Sequence, residues 1–380
     1  MMPKIIRTLV WISLLTLSIQ CKKNDTNSDN VSQTSSTITD ATGFTLQEYD
    51  NYTVVKVLTP WPNAQKPLTY VLAKAHATIA DSLASYPKIE VPLKEVVVTS
   101  TTNIPFMEIL GVENKITGFP HTDYISSPKT RKRIDTGKIK NLGENEKIDL
   151  EKLIDLAPQA LISFGVDGTN PTLTQIEKMG IPVLIQADWM EQTPLGKAEW
   201  IKFFGALFGK EKEAKSYFDQ VKKNYQEAIQ LVQNLKTKPT VMYGTMYQDQ
   251  WYMAKGESWI ARFIADAKGD YLWKHLKGVG SAPLTFEQVF DKGQNASIWI
   301  ATGTETNWVN FGKSNPHYTQ FKAYKNKKVY TFEGQKGATG GTLFFECSPS
   351  QPDKVLKDYI KIFHPEVLKE YTFTFATPIQ

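Results

Sequence analysis

The segment from Lys210 to Lys236 constrains the fold more than any other part of the sequence. Its apolar residues recur in alternating steps of four and three, which places them on one face of a helix. They are Ala214, Phe218, Val221, Tyr225, Ala228, Val232 and Leu235. Gly209 and Pro239 bound the segment, and a helix of this length spans roughly 40 Å. Two interpretations follow: an amphipathic helix packed on one ordinary domain, or a stiff connector between two α/β lobes.

The composition favours two packed domains. The chain has 380 residues, of which 41% are hydrophobic and 12% aromatic, enough for two cores. The formal charge is only +5 and the lysines are scattered, so we expect no nucleic-acid partner. A small anionic ligand is compatible with this charge.

The N-terminus resembles a bacterial lipoprotein signal peptide. Lys4 and Arg7 precede a short apolar run from Leu9 to Ile19, and Cys21 follows. A membrane-spanning helix is excluded because the run is far shorter than about 20 residues. The resemblance implies removal of residues 1–20, lipidation of Cys21 and a place in the cell envelope, on the periplasmic side of a membrane. Residues 21–44 are mostly polar and predict a flexible tether. The remaining cysteine, Cys347, is expected to be a small core residue.

Residues 45–209 alternate strand-like and helix-like segments, which predicts a parallel sheet covered by helices. A hairpin is expected first, over Tyr52–Leu58 and Leu68–Ala75. The later strands are predicted at Glu95–Thr99, Ile116–Phe119, Gln159–Phe164 and Ile181–Ile185. The intervening helices are predicted at Ile104–Leu110, Asp149–Leu156 and Thr172–Met179.

Ligands of such sheets bind beyond the carboxyl ends of the strands. The candidate binding residues of this first lobe are Ser100, Thr101, Thr102, His121, Gly165 and Trp189. Arg131, in a polar stretch, is a further candidate for an anionic ligand. The alternatives are an ordinary loop histidine for His121 and a solvated surface arginine for Arg131.

Residues 238–380 have a similar pattern, so we predict a second lobe of the same design. Strands are expected at Thr240–Gly244, Ser297–Ala301 and Val329–Thr331. Helices are expected at Ser258–Ala267, Phe286–Phe290 and Pro352–Phe363. A cleft between the two lobes would then be lined from this side by Tyr243, Trp251, Tyr252, Trp308 and the glycine loop Gly337–Gly341. Gly340 of this loop and Thr302, after a strand, are further candidate binding residues. Flat aromatic walls suit a large, rigid ligand.

Four separate segments carry a family resemblance. They are Glu95–Ser100, Leu150–Gly165, Pro194–Phe204 and Gly340–Glu366. In this order they resemble the substrate-binding proteins of iron-complex and cobalamin ABC importers, and the resemblance extends from about Tyr49 to Glu366. It implies an α/β fold of two Rossmann-like lobes with central, mostly parallel sheets, joined by one long α-helix at 210–237.

The resemblance also implies a function. A ferric siderophore, haem or cobalamin would be held between the lobes of a monomer and delivered to an ABC transporter permease, without catalysis. Members of this family dock on the permease through an acidic residue on each lobe, for which Asp167 and Glu257 are the candidates. Haem needs an axial Tyr or His, a catecholate needs Arg or Lys, and cobalamin needs mainly aromatics. The sequence contains all three kinds of residue, so it does not identify the ligand.

Two other classes of function are alternatives to a ligand carrier. An α/β hydrolase or nucleotide-binding enzyme would show a Gly-x-Ser-x-Gly elbow, a Gly-x-Gly-x-x-Gly turn or a P-loop, and the sequence contains none of them. With five histidines and no clustered ligands, neither a catalytic residue, a cofactor nor a metal site is predicted. A surface lipoprotein without a transport role is the second alternative.

Overall fold

The computed structural model describes residues 37–144 and 147–380, so Cys21 and the predicted signal peptide lie outside the described residues. The strands are β1 (Phe44–Glu48), β2 (Tyr52–Val57), β3 (Leu68–Ala73), β4 (Lys88–Glu90), β5 (Val96–Val98), β6 (Ile116–Phe119), β7 (Lys140–Asn141), β8 (Gly143–Glu144), β9 (Lys147–Ile148), β10 (Ala160–Ser163), β11 (Val183–Ile185), β12 (Thr240–Tyr243), β13 (Met246–Tyr247), β14 (Gln250–Ala254), β15 (Asp270–Tyr271), β16 (Ser281–Leu284), β17 (Ile298–Ala301), β18 (Val329–Thr331) and β19 (Thr377–Pro378).

The helices begin close to residues whose side chains cap them, such as Ser127, Asn170 and Thr285. They are α1 (Asn103–Ile109), α2 (Pro128–Asp135), α3 (Leu150–Leu156), α4 (Pro171–Lys178), α5 (Pro194–Glu199), α6 (Ile201–Phe208), α7 (Glu211–Val232), α8 (Trp259–Asp266), α9 (Phe286–Gly293), α10 (Trp308–Ser314), α11 (Lys322–Lys325), α12 (Leu343–Cys347) and α13 (Pro352–Phe363). Within residues 37–144 and 147–380, no helix is both long and apolar enough to cross a bilayer.

Each lobe is built around its own five-stranded sheet, as predicted for an α/β fold. The first-lobe sheet has the order β11-β10-β5-β6-β7 and is parallel throughout. The second-lobe sheet has the order β15-β12-β17-β18-β19, in which only the pairing with β19 is antiparallel. Buried runs such as Val96–Val98 are typical of strands covered on both faces.

Both lobes are α/β units with a mostly parallel sheet, as predicted, but they differ in strand order. Numbered within its lobe, the first sheet has the strand order 5-4-1-2-3 and the second has 2-1-3-4-5. The orders diverge at the third strand of each lobe. In the first lobe β7 lies on the same side of β5 as β6, whereas in the second lobe β17 lies on the opposite side of β12 from β15. Both orders are known forms of the doubly wound fold.

Helix α7 joins the two lobes. It is continuous for 22 residues, or about 33 Å. The predicted stripe is buried along it, and the two halves of the stripe enter different cores. Ala214, Phe218 and Val221 pack in the first core. Tyr225, Ala228 and Val232 pack in the second. The helix is therefore a connector that is anchored at both ends, and not a helix on the surface of one domain.

A four-stranded sheet of order β1-β2-β3-β4 packs on the core of the first lobe and contains the predicted hairpin, β2 and β3. The chain before it is held by hydrogen bonds. The Glu199 carboxylate accepts bonds from the backbone N–H groups of Thr39, Asp40 and Ala41 at 2.7–2.9 Å. The Glu191 carboxylate accepts bonds from the next two residues. The predicted flexible tether is therefore wrong for residues 37–44, and residues 21–36 lie outside the described part of the chain.

Candidate functional site

Residues at the carboxyl ends of the first-lobe strands meet residues of the second lobe. Thr102, which follows β5, and Trp189, which follows β11, line one cavity together with Trp259 and Phe345. This inter-lobe crevice has a volume of about 170 Å³. Trp189 is 41% exposed and Phe345 is 52% exposed, so both keep apolar surface available. The structure thus brings two predicted residues, Thr102 and Trp189, to a wall shared by both lobes.

A buried pair of opposite charges lines the same crevice. The Lys197 ammonium lies 5.3 Å from the centre of the Trp259 ring and donates to the backbone carbonyl of Asp188 at 3.2 Å. Burial lowers the pKa of Lys197, and the charge of Asp188 opposes this. Burial likewise raises the pKa of the Asp188 carboxyl, against the attraction of Lys197. Oδ2 of Asp188 is buried and has no hydrogen-bond partner among the described residues.

The loop after β6 and the segment after β18 fasten the two lobes together at one side. The Glu346 carboxylate of α12 accepts hydrogen bonds from the backbone N–H groups of Ser126 at 2.6 Å and Ser127 at 2.9 Å. Thr339 donates to the carbonyl of Asp123 at 2.6 Å. Burial raises the pKa of Glu346 to about 7, the nearby Glu108 charge adds to the rise, and the two N–H donors oppose it. We call this contact the Glu346 clasp.

Gly340, a predicted site residue, lies in the turn that supports the clasp. Its φ of +93° is in the region that favours glycine. Its neighbour Gly341 packs directly against the backbone of Tyr124. The glycines therefore allow the second lobe to approach the first closely.

The remaining first-lobe candidates are distributed around this region. Ser100 and Thr102 share a hydroxyl–hydroxyl hydrogen bond of 2.8 Å, and Thr101 between them is half-buried. His121 adopts φ +48°, and its partly exposed ring lies 5.1 Å from that of Tyr124. His121 and Tyr124 therefore offer imidazole and phenol groups side by side.

The Arg131 guanidinium, which we predicted to face an anionic ligand, contacts groups of its own lobe instead. Its side chain is 13% exposed, and its guanidinium donates to the Thr122 carbonyl at 2.6 Å and lies 3.8 Å from the Asp123 carboxylate. A second carboxylate, that of Asp135 one turn further along α2, lies at 3.5 Å. The guanidinium is therefore engaged within its own lobe, where it braces the loop that reaches the clasp.

Trp251 is a core residue, and the prediction that it lines the cleft is wrong. It is 0% exposed, its indole N–H donates to the Tyr243 carbonyl at 2.8 Å, and it stacks on Trp299 at 5.6 Å. The next residue, Tyr252, points to the other face of β14 and is exposed. Tyr243 is half-buried, and burial raises its pKa. The hydroxyl of Thr302 is hydrogen-bonded to that of Thr245 at 2.7 Å.

The two candidate docking carboxylates are exposed, each on its own lobe. Asp167 accepts hydrogen bonds from the Thr169 N–H and hydroxyl at 2.9 and 2.8 Å. Glu257 accepts one from the Gly278 N–H at 2.9 Å. Gly165, near Asp167, packs against Trp61 outside the inter-lobe crevice. In the part of the chain that is described, no three His, Cys, Asp or Glu residues are grouped so as to hold a metal ion.

Sequence reasoning missed several residues of this region. Lys197, Trp259, Phe345 and Glu346 were not predicted as site residues. A signal existed for Phe345 and Glu346, because they follow the glycine loop that was identified as part of the cleft. No pattern in the sequence pairs Lys197 with Trp259, since they belong to different lobes.

Comparisons with known proteins give a consistent result. Residues 96–335 match the family model described as periplasmic binding protein. An uncharacterised lipoprotein of Methanocaldococcus jannaschii is 30% identical over 298 residues, which cover 75% of this chain and 68% of that protein.

Solved structures show a similar fold. A periplasmic haem-binding protein from Pseudomonas aeruginosa has a TM-score of 0.58 at 16% identity, covering 76% of this chain and 98% of that one. A possible iron-binding, periplasmic solute-binding protein from Staphylococcus epidermidis has a TM-score of 0.56 at 19% identity, covering 72% of this chain and 100% of that one.

Proposed function

We propose that this chain, which belongs to the periplasmic binding protein family, is a ligand carrier. In the proposal it is an extracytoplasmic lipoprotein, anchored through Cys21, that serves an ABC importer. It captures an iron complex or cobalamin between its lobes and delivers the ligand to the permease, with Asp167 and Glu257 as the docking carboxylates. It performs no catalysis and acts as a monomer.

The main support for this proposal is that the buried face of α7 packs half in the first core and half in the second. A helix packed into both lobes resists a change in their separation, so a ligand between them meets a largely pre-formed site. The walls of that site include Trp189, Trp259 and Phe345. Aromatic rings supply contact area at a low cost in side-chain entropy.

Among the ligands, the side chains near the lobe junction favour a planar macrocycle, haem or cobalamin, and the crevice, at about 170 Å³, would hold only one edge of it. Arg131, the expected partner of an anionic catecholate, is engaged by the Thr122 carbonyl and by carboxylates. His121 and Tyr124 lie side by side and include both side-chain types that serve as axial ligands of haem iron. Tyr124 is exposed and is therefore available for that role.

Calorimetric titration with haem, cyanocobalamin and a ferric catecholate siderophore tests the proposal. We expect saturable binding of one macrocycle and weaker binding, by about tenfold, after Phe345→Ala, which removes a partly exposed ring of the crevice. Leu231→Ala is the matched control, because Leu231 is a similarly exposed apolar residue on α7. If haem is the ligand, His121→Ala or Tyr124→Phe is expected to alter its Soret absorption.

Failure of all three compounds to bind would refute the carrier proposal. Preferred binding of the siderophore would leave the carrier function standing but refute the choice of a macrocycle. Equal losses in Phe345→Ala and Leu231→Ala would place the ligand outside the inter-lobe crevice.

A further inference from the structure

A second cavity lies within the first part of the chain, away from the inter-lobe crevice. Its volume is about 350 Å³, within the range of small-molecule sites, roughly 300–1,000 Å³. Its walls include the rings of Trp61, Tyr70 and Tyr86 and the carboxylates of Asp167 and Glu177. None of its lining residues lines the inter-lobe crevice or comes from the second lobe. We call it the first-lobe cavity.

The chain builds the aromatic wall with specific contacts. A Cβ at Gly165 would lie 2.8 Å from the Trp61 ring, and one at Gly168 would lie 3.2 Å from it. These glycines therefore let the indole lie directly on the loop after β10. Tyr70 is fixed as well, because its hydroxyl accepts a hydrogen bond from the Ile185 N–H of the edge strand β11 at 3.1 Å.

The charged residues that line the cavity are all acidic. Asp167 and Glu177 are the charged residues among its lining, which contains neither Lys, Arg nor His. Among the described residues, neither carboxylate takes part in a salt bridge, although the chain as a whole carries +5. Hydrogen bonds from Thr169 hold the pKa of Asp167 below its usual value, so this group is ionised at neutral pH.

We propose that the first-lobe cavity binds a small organic cation, a quaternary or protonated amine. Aromatic rings attract a cation through their negative faces, by about 0.5–2 kcal/mol per ring. The two carboxylates add opposite charge at the solvent-facing side of the cavity, and partial burial raises the pKa of Glu177. A hard metal ion needs a shell of six or more oxygens, whereas the lining offers two carboxylates among mostly apolar side chains, and no three His, Cys, Asp or Glu of the described residues are grouped to hold a metal.

Calorimetric titration of the protein with choline tests the proposal, with 3,3-dimethyl-1-butanol as its uncharged analogue. We expect choline to bind, and the neutral analogue to bind about tenfold more weakly or not at all. Glu177→Gln is expected to weaken choline binding by about fivefold or more, and Trp61→Leu to abolish it. Glu151→Gln, which removes an exposed carboxylate on α3, is the control and is expected to bind choline as the wild type does.

Three results would overturn the proposal. They are no choline binding at millimolar concentration, equal affinity for choline and its neutral analogue, or unchanged affinity in Glu177→Gln. If Trp61→Leu fails to fold, Glu177→Gln alone decides, because it preserves the shape of the side chain. Trp189→Ala, in the inter-lobe crevice, is expected to leave choline affinity unchanged, and a loss there would place the cation in the crevice instead.

Discussion

The Glu346 clasp predicts an unusual dependence of stability on pH. Glu346 is 1% exposed, and its pKa rises from the ordinary value of 4.5 to about 7. Because the folded state holds this proton more tightly than the unfolded state, the folded state binds more protons between these two values. The contribution of Glu346 to stability is therefore fully present below about pH 4.5 and is lost as the pH rises through about 7. At about 1.36 kcal/mol per pKa unit, the loss is roughly 3 kcal/mol.

The perturbation is Glu346→Gln, which removes the titration and keeps the size of the side chain. Urea unfolding of the wild type and the variant at a series of pH values between 5 and 8 gives two stability curves. We expect the free energy of unfolding of the wild type to fall relative to that of the variant by roughly 2.5 kcal/mol from pH 5 to pH 8, since part of the full loss occurs below pH 5. Subtracting the curves removes the contribution of the other titrating groups.

Glu151→Gln is the matched control for this measurement, because Glu151 is exposed on α3. Its difference curve is expected to be flat. A flat curve for Glu346→Gln, or one in which the wild type gains stability with rising pH, would refute the reasoning. Either result would mean that Glu346 is not a buried carboxylate between Ser126, Ser127 and Glu108.

Two further predictions follow from the positions of Trp251 and Cys21. Trp251→Ala is expected to lower the free energy of unfolding by about 3–5 kcal/mol in a denaturant titration, because the ring is fully buried, whereas Tyr252→Ala on the exposed face is expected to change it by less than about 1 kcal/mol. Similar losses in both would contradict the core assignment of Trp251. Cys21→Ser is expected to move the protein from the membrane fraction to the soluble fraction of cells. Retention on the membrane would exclude lipidation of Cys21 as the anchor.

The connector helix was the most predictable part of the fold. The spacing of its apolar residues is a local pattern, so the sequence alone indicates the face that is buried. The helix begins one residue later and ends four residues earlier than the predicted segment from Lys210 to Lys236, so Leu235 lies beyond its end. Helix α6 shows the opposite case. All eight of its residues are buried, so no polar face marks its period, and it was not predicted as a helix.

The candidate site was less predictable because its contacts join distant residues. Glu346 meets Ser126 across 220 residues, and no local pattern indicates that pairing. Trp251 and Tyr252 show a second reason why the site residues could not be predicted from the sequence. Adjacent residues of a strand point to opposite faces, so only one of the two could line a given surface. The sequence does not say which, because both faces of β14 carry large side chains.

The unequal strand orders of the two lobes have a consequence for recognition. Since β5 and β12 are flanked differently, the loops that follow them are not related by symmetry, and neither are their side chains. A ligand placed in the crevice meets Thr102, Trp189 and Lys197 on the side of the first lobe and Trp259 and Phe345 on the side of the second. Turning an asymmetric ligand over would exchange those environments, so we expect one orientation to bind more tightly than the other.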